Sequence, residues 1–122
     1  MTAQVTAAEA LIQTALLGEA IDDGPALIFI ADDEMRYIAV NQCACRTLGY
    51  TRDELLALRV DEVAREPDAP TEYDEMLVRG FRHGTTVLTR KDRATVDFLY
   101  RASKTELAGM TFFVSIGFVA ED

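Results

Sequence analysis

The chain has little that could staple or mineralise a fold: two cysteines, Cys43 and Cys45, and one histidine, His83, among 122 residues. Two cysteines without a secretory leader give no case for a disulfide framework, and the start MTAQVTAAEAL lacks the charged and apolar stretches of a signal peptide. Lys and Arg number 12 against 21 Asp and Glu, a net charge of −9. That balance repels phosphate backbones and anionic lipid, so no nucleic-acid partner is expected for this segment. No apolar run approaches the ~20 residues of a membrane span, so a cytoplasmic protein without membrane contact is expected. Glycine (7) and proline (3) are too few for a disordered or fibrous chain. With 49% apolar and 27% charged residues, one globular domain can bury a core without metal or disulfide.

From Thr6 to Ile21 the apolar residues Ala8, Leu11, Ile12, Ala15 and Leu16 recur at helical spacing, and Leu17, Ala20 and Ile21 broaden the stripe. Gly24 and Pro25 end this helix. PALIFIA and RYIAV around the turn DDEM read as a hairpin over residues 25–40. Asn41 is an N-cap for a short helix that Gly49 closes, and Thr51 with Glu54 forms a capping box opening TRDELLAL. A further turn is expected through VDEVA. After the loop EPDAP, Thr71 with Asp74 caps a longer helix through EYDEMLVRGF, closed by Gly84. The strands TTVLTR, TVDFLYRAS and GMTFFVSIGFV follow, joined by KDRA and KTEL. The order predicts an α+β domain with a five-stranded antiparallel sheet.

This order, with N-x(6)-LGYTRDEL after the second strand and RKDRATVDF at a later hairpin, resembles the PAS domain of bacterial signalling proteins over about residues 20–119. Arg93-Ala94 stands where that family often has a glycine. The resemblance implies short helices covering the concave face of the sheet, a small pocket between them, and sensing or dimerisation rather than catalysis. The expected division is an N-terminal amphipathic helix over 1–23, as cap or dimerisation element, and a PAS-like sensor domain over 24–122. In light-sensing flavin relatives a reactive cysteine follows the D-E-L-L-type helix; here the segment is LRVDEV, and positions that hold the flavin ring fall at Phe98 and Ile116. That speaks against a photochemical flavin adduct. Haem-binding relatives use a histidine near His83, but FRHGT is polar, and a solvent-facing histidine at a helix C-terminus is the plainer reading. No cofactor is assigned.

Helical geometry sets Asn41, Ala44 and Leu48 on one face, with Cys43 and Cys45 about 160° apart on its flanks, so the two thiols cannot share a metal. Packing beside a core helix accounts for both. If the KDRA turn pairs Val87 with Phe98, then Val87, Val96, Phe98, Tyr100 and Ala102 share a face, matched by Phe112, Val114 and Ile116. Val87, Phe98, Tyr100, Val114, Ile116, Ala44 and Leu48 are the pocket candidates, for an apolar or aromatic ligand or for a filled core. Phe113 and Val119 fall on the opposite face. There the stripe of Leu11, Ile12, Ala15 and Leu16 is expected to pack with Phe113, in its own chain or in a second copy as a homodimer. Asp32-Asp33-Glu34 and Asp61-Glu62 lack calcium-loop spacing. Tyr100 and Asp97 are strand neighbours and point to opposite faces, which argues against an acid/base pair and against an enzyme.

The leading expectation is a regulatory sensor that passes ligand occupancy, redox state or partner contact to an output domain. That domain would be a kinase, as in a two-component system, or a transcriptional regulator, in the same or a partner chain. The alternative is a ligand-free dimerisation module with a filled core.

Overall fold

The computed structural model describes residues 6–64 and 81–120. Local capping places the helices. In α1 (Ala7–Asp22) the Thr6 hydroxyl accepts from the Glu9 amide at 3.1 Å and the Glu9 carboxylate accepts in return from Thr6 N. The same box, Thr51 with Glu54, opens α3 (Arg52–Leu56). Between them α2 (Gln42–Leu48) starts on the Asn41 side chain and stops at Gly49, whose φ of 79° is the left-handed turn that favours glycine. A single turn, α4 (Val60–Val63), follows in the helical layer.

The strands are β1 (Leu27–Asp32), β2 (Tyr37–Val40), β3 (Phe81–Thr89), β4 (Thr95–Leu107) and β5 (Met110–Val119). They form one antiparallel sheet in the order β2-β1-β5-β4-β3. This is the expected α+β architecture. The core lies between the inner sheet face and α2–α4, where Leu27, Phe29, Leu88 and Phe98 meet Ala44, Leu48, Leu55 and Val63. At the far end β5 outruns β1, and among the described residues Ser103 is the last of β4 paired to β3 and Phe112 the last of β5 paired to β1. The tip is a two-residue turn of Ala108 (φ 52°) and Gly109 (φ 76°), the pair of positive angles a type I′ hairpin requires.

Three expectations change. The helix predicted from Thr71 lies mostly outside the described residues, as does the EPDAP loop, but its predicted end does not: Phe81 to Gly84 are strand, so Gly84 ends no helix. Gly84 instead faces Tyr100 across the ladder. The connection after β3 is one residue shorter than KDRA, because Arg90 pairs with Ala94 and Arg93 takes a left-handed φ of 77°. Thr86 therefore pairs with Phe98, and Val87 pairs with Asp97 on the outer face. A one-residue slip turns every side chain over. On β5, Ala102 pairs with Ser115 and Lys104 with Phe113, because the two-residue tip replaces the expected KTEL connection. Phe113 and Val119 are thereby inner residues, and Phe112, Val114 and Ile116 outer ones.

Candidate functional site

The inner face is aromatic at its centre. Phe98, buried, stands edge-on to Phe29 at 5.6 Å and stacks on Tyr100 at 5.7 Å, while Phe29 also meets Tyr37 at 5.5 Å. The Tyr100 hydroxyl accepts from Arg82 Nε at 3.0 Å, which gives the half-buried phenol a polar partner. Of the pocket candidates, Ala44, Leu48, Phe98 and Tyr100 come together here. Val87, Val114 and Ile116 do not; Ile116 is 45% exposed on the other side of the sheet. Sequence reasoning missed Leu88 and Arg82, two of the inner residues of β3, because it placed Arg82 on a helix and set Leu88 one register position out.

The outer face is apolar and open. Leu99, Ile116 and Phe118 are 50%, 45% and 56% exposed, and with Phe81 they border a depression of about 970 Å³ that also contains His83 and Arg101. His83 is exposed on a strand rather than at a helix end. Of the two expected arrangements, α1 does not adopt the one in its own chain: none of its residues is buried, and Leu11, Ile12, Ala15 and Leu16 are all exposed. Phe113, paired with that stripe in the sequence reading, is 2% exposed in the core beside Ala102.

The helical layer is held at both ends. At its start the buried Asn41 carboxamide makes four hydrogen bonds: Oδ1 accepts from Ile28 N (3.0 Å) and Ala44 N (3.1 Å), and Nδ2 donates to Ile21 O (2.7 Å) and Ala26 O (2.8 Å). Asp22 accepts from Gln42 N and from Arg52 Nη2, and Arg46 pairs with Asp23. At its end the β3–β4 turn grips the α2–α3 corner: Lys91 N donates to Leu48 O at 2.9 Å, Arg90 to Thr47 O, and Lys91 Nζ to Glu54 at 2.5 Å. The lysine contact, with the Thr51 amide, holds the Glu54 carboxyl down at about 2.

The remaining described cysteines and carboxylates make structural contacts. Cys43 and Cys45 are both buried and free, and burial pushes the Cys45 thiol up, away from the reactive thiolate. Desolvation works against ionised Asp32, but hydrogen bonds from the Arg36 and Glu34 amides and the Arg36 side chain outweigh it and lower its pKa. That carboxylate closes the β1–β2 turn. Glu62 accepts from Arg59 N to start α4. Among the described residues no group of His, Cys, Asp and Glu is placed to hold a metal, and no helix is long and apolar enough to cross a membrane.

Solved structures share this fold. The PAS domain of an HTR-like protein from Haloarcula marismortui is 25% identical with a TM-score of 0.79, the match covering 93% of this chain and 97% of that one. A domain of a sensory box sensor histidine kinase/response regulator from Geobacter sulfurreducens is 22% identical, TM-score 0.76, over 89% and 96%. The LOV domain of a blue-light activated histidine kinase from Erythrobacter litoralis is 19% identical, TM-score 0.67, over 80% and 98%. No curated protein sequence matches. The family model of the PAS domain matches residues 25–122, from just before β1 through the last strand, and the chain belongs to the PAS domain family.

Proposed function

We propose that the chain is the sensor module of a signal-transduction protein and works as a homodimer, α1 of one copy lying on the outer sheet face of the other. Residues 1–23 are the dimerisation arm and 24–122 the sensor body. The observation that carries the reading is a pair of complementary exposed surfaces in one chain. Leu11, Ile12, Leu16 and Leu17 stand 59–73% exposed on α1, and Leu99, Ile116 and Phe118 stand about half exposed on the sheet. Burying each such side chain is worth roughly 1.5–3 kcal/mol, so two symmetric copies of the contact outweigh the cost of association. Charge agrees. The ionisable groups of α1 are Glu9, Glu19 and Asp22, all acidic, and the depression presents Arg101.

The likeness to domains of sensor histidine kinases supports an output domain, kinase or transcriptional regulator, in the same or a partner chain. The inner face supplies the input. Phe29, Tyr37 and Phe98 already fill the part beneath α2, so a small apolar or aromatic ligand would sit toward Tyr100 and Ala102. Tyr100 inside and Asp97 outside cannot act as one acid/base pair, which supports a regulatory rather than a catalytic role. Sedimentation velocity tests the dimer. Wild type is expected to sediment as a dimer at micromolar concentration, and Leu16→Asp and Phe118→Asp each as a monomer with an unchanged circular dichroism spectrum. A monomeric wild type, or variants that remain dimeric, would refute the proposed interface.

A further inference from the structure

We infer that the Asn41 side chain is the pivot that sets the direction of α1 from the position of α2. Within its own chain α1 has no buried residue, so intrachain packing does not orient it. What joins it to the body is its root. There the Asn41 carboxamide spends one donor on the last turn of α1 (Ile21 O) and one on the strand entry (Ala26 O), and its oxygen on the first turn of α2 (Ala44 N) and on β1 (Ile28 N). All four hydrogen-bonding positions of the amide are filled in a residue 5% exposed. Asp22 strengthens the same joint, reaching the α2 backbone at Gln42 and, through Arg52, the α3 start. Arg52 in turn donates to Val40 O, at the end of β2.

The other side of α2 is a wall of the core, through Ala44 and Leu48, both fully buried. A displacement of that wall is therefore delivered to the root of α1 through bonds too short to absorb it. The helix spans 16 residues, about 24 Å at 1.5 Å per residue. A tilt of about 5° at the root consequently moves its free end by ~2 Å, comparable with the helix shifts that switch subunit interfaces. The pivot itself requires neither ligand nor dimer; it rests on the sensor reading only for its use.

Asn41→Asp separates the two halves of the joint. Aspartate is as good an N-cap as asparagine, so it keeps the bonds from Ala44 N and Ile28 N, but it has no proton for Ile21 O or Ala26 O. Asn41→Ser keeps a capping oxygen without adding charge and has a single hydroxyl proton in place of the two amide protons, so it cannot make both donations. The experiment compares backbone N–H residual dipolar couplings in an Ile12→Asp, Leu16→Asp background, whose α1 cannot dock on a partner's sheet, with and without each Asn41 substitution. With Asn41 present, α1 and sheet couplings are expected to fit one alignment tensor. With Asp or Ser, the α1 couplings are expected to fall at least two-fold while those of the sheet and α2 stay put. Couplings of α1 that still fit the sheet tensor in both variants overturn the inference. So does loss of the sheet spectrum in both, since it would make Asn41 a general stabiliser rather than a pivot.

Discussion

At the scale of single residues, the described ion pairs are exposed contacts of small energetic weight, and Glu54 differs from them by what it connects. Its carboxylate joins the α3 cap to the β3–β4 turn through Lys91, two parts of the chain 37 residues apart. Its folded value of about 2 lies below the ordinary 4.5. A depressed carboxylate adds stability above the unfolded value and loses it as pH falls through the folded one. Glu54→Gln keeps an oxygen for Thr51 N but gives up the charge facing Lys91. Wild type is expected to resist urea better than Glu54→Gln near pH 6, and the gap to close between pH 4.5 and 2. A gap that is constant with pH would remove the Lys91 contact as its source.

At the scale of elements, the turns decide which side chains face which way. Ala108 holds a φ of 52° at the β4–β5 tip, a conformation that costs a non-glycine L-residue roughly 1–2 kcal/mol. Asparagine tolerates it better, and Asn-Gly is the favoured type I′ pair. Ala108→Asn is expected to raise stability by about 0.5–1 kcal/mol, seen as a higher denaturation midpoint with an unchanged slope; a lower midpoint would contradict the turn assignment. The same turns explain what was legible in the sequence. Caps are local, so Asn41, Gly49, Thr51 and Glu54 could be read from neighbours three to eight positions away. Faces depend on counting loop residues. One residue too many in KDRA put Val87 inside in place of Leu88, and the missed two-residue tip exchanged Phe113 with Val114 and Ile116. A glycine between apolar residues reads equally as a helix stop or as a gap opposite a large side chain, and Gly84 facing Tyr100 is the second. The second set of bonds from Asn41, to Ile21 and Ala26, leaves no trace in local pattern at all.

At the scale of the whole molecule, the proposed function assigns occupancy to the inner face of the sheet and partnership to the outer one. Native mass spectrometry of freshly purified protein reads both: a dimer carrying added mass, released on unfolding, is expected if the inner face holds a ligand. A dimer of bare polypeptide mass, in several preparations, would leave the module to partnership alone. The hairpin tip belongs to neither face. Before Phe112 on β5 the ribbon runs past β1, no described residue of β3 pairs with β4 beyond Ser103, and Leu107 and Met110 are 68% and 57% exposed. Core packing therefore does not fix the chain between Ala108 and Gly109, and exposed turns of this kind accept foreign sequence. The tip is where this domain could be opened to carry a guest protein, with the Asn41 joint and the aromatic core left as they are.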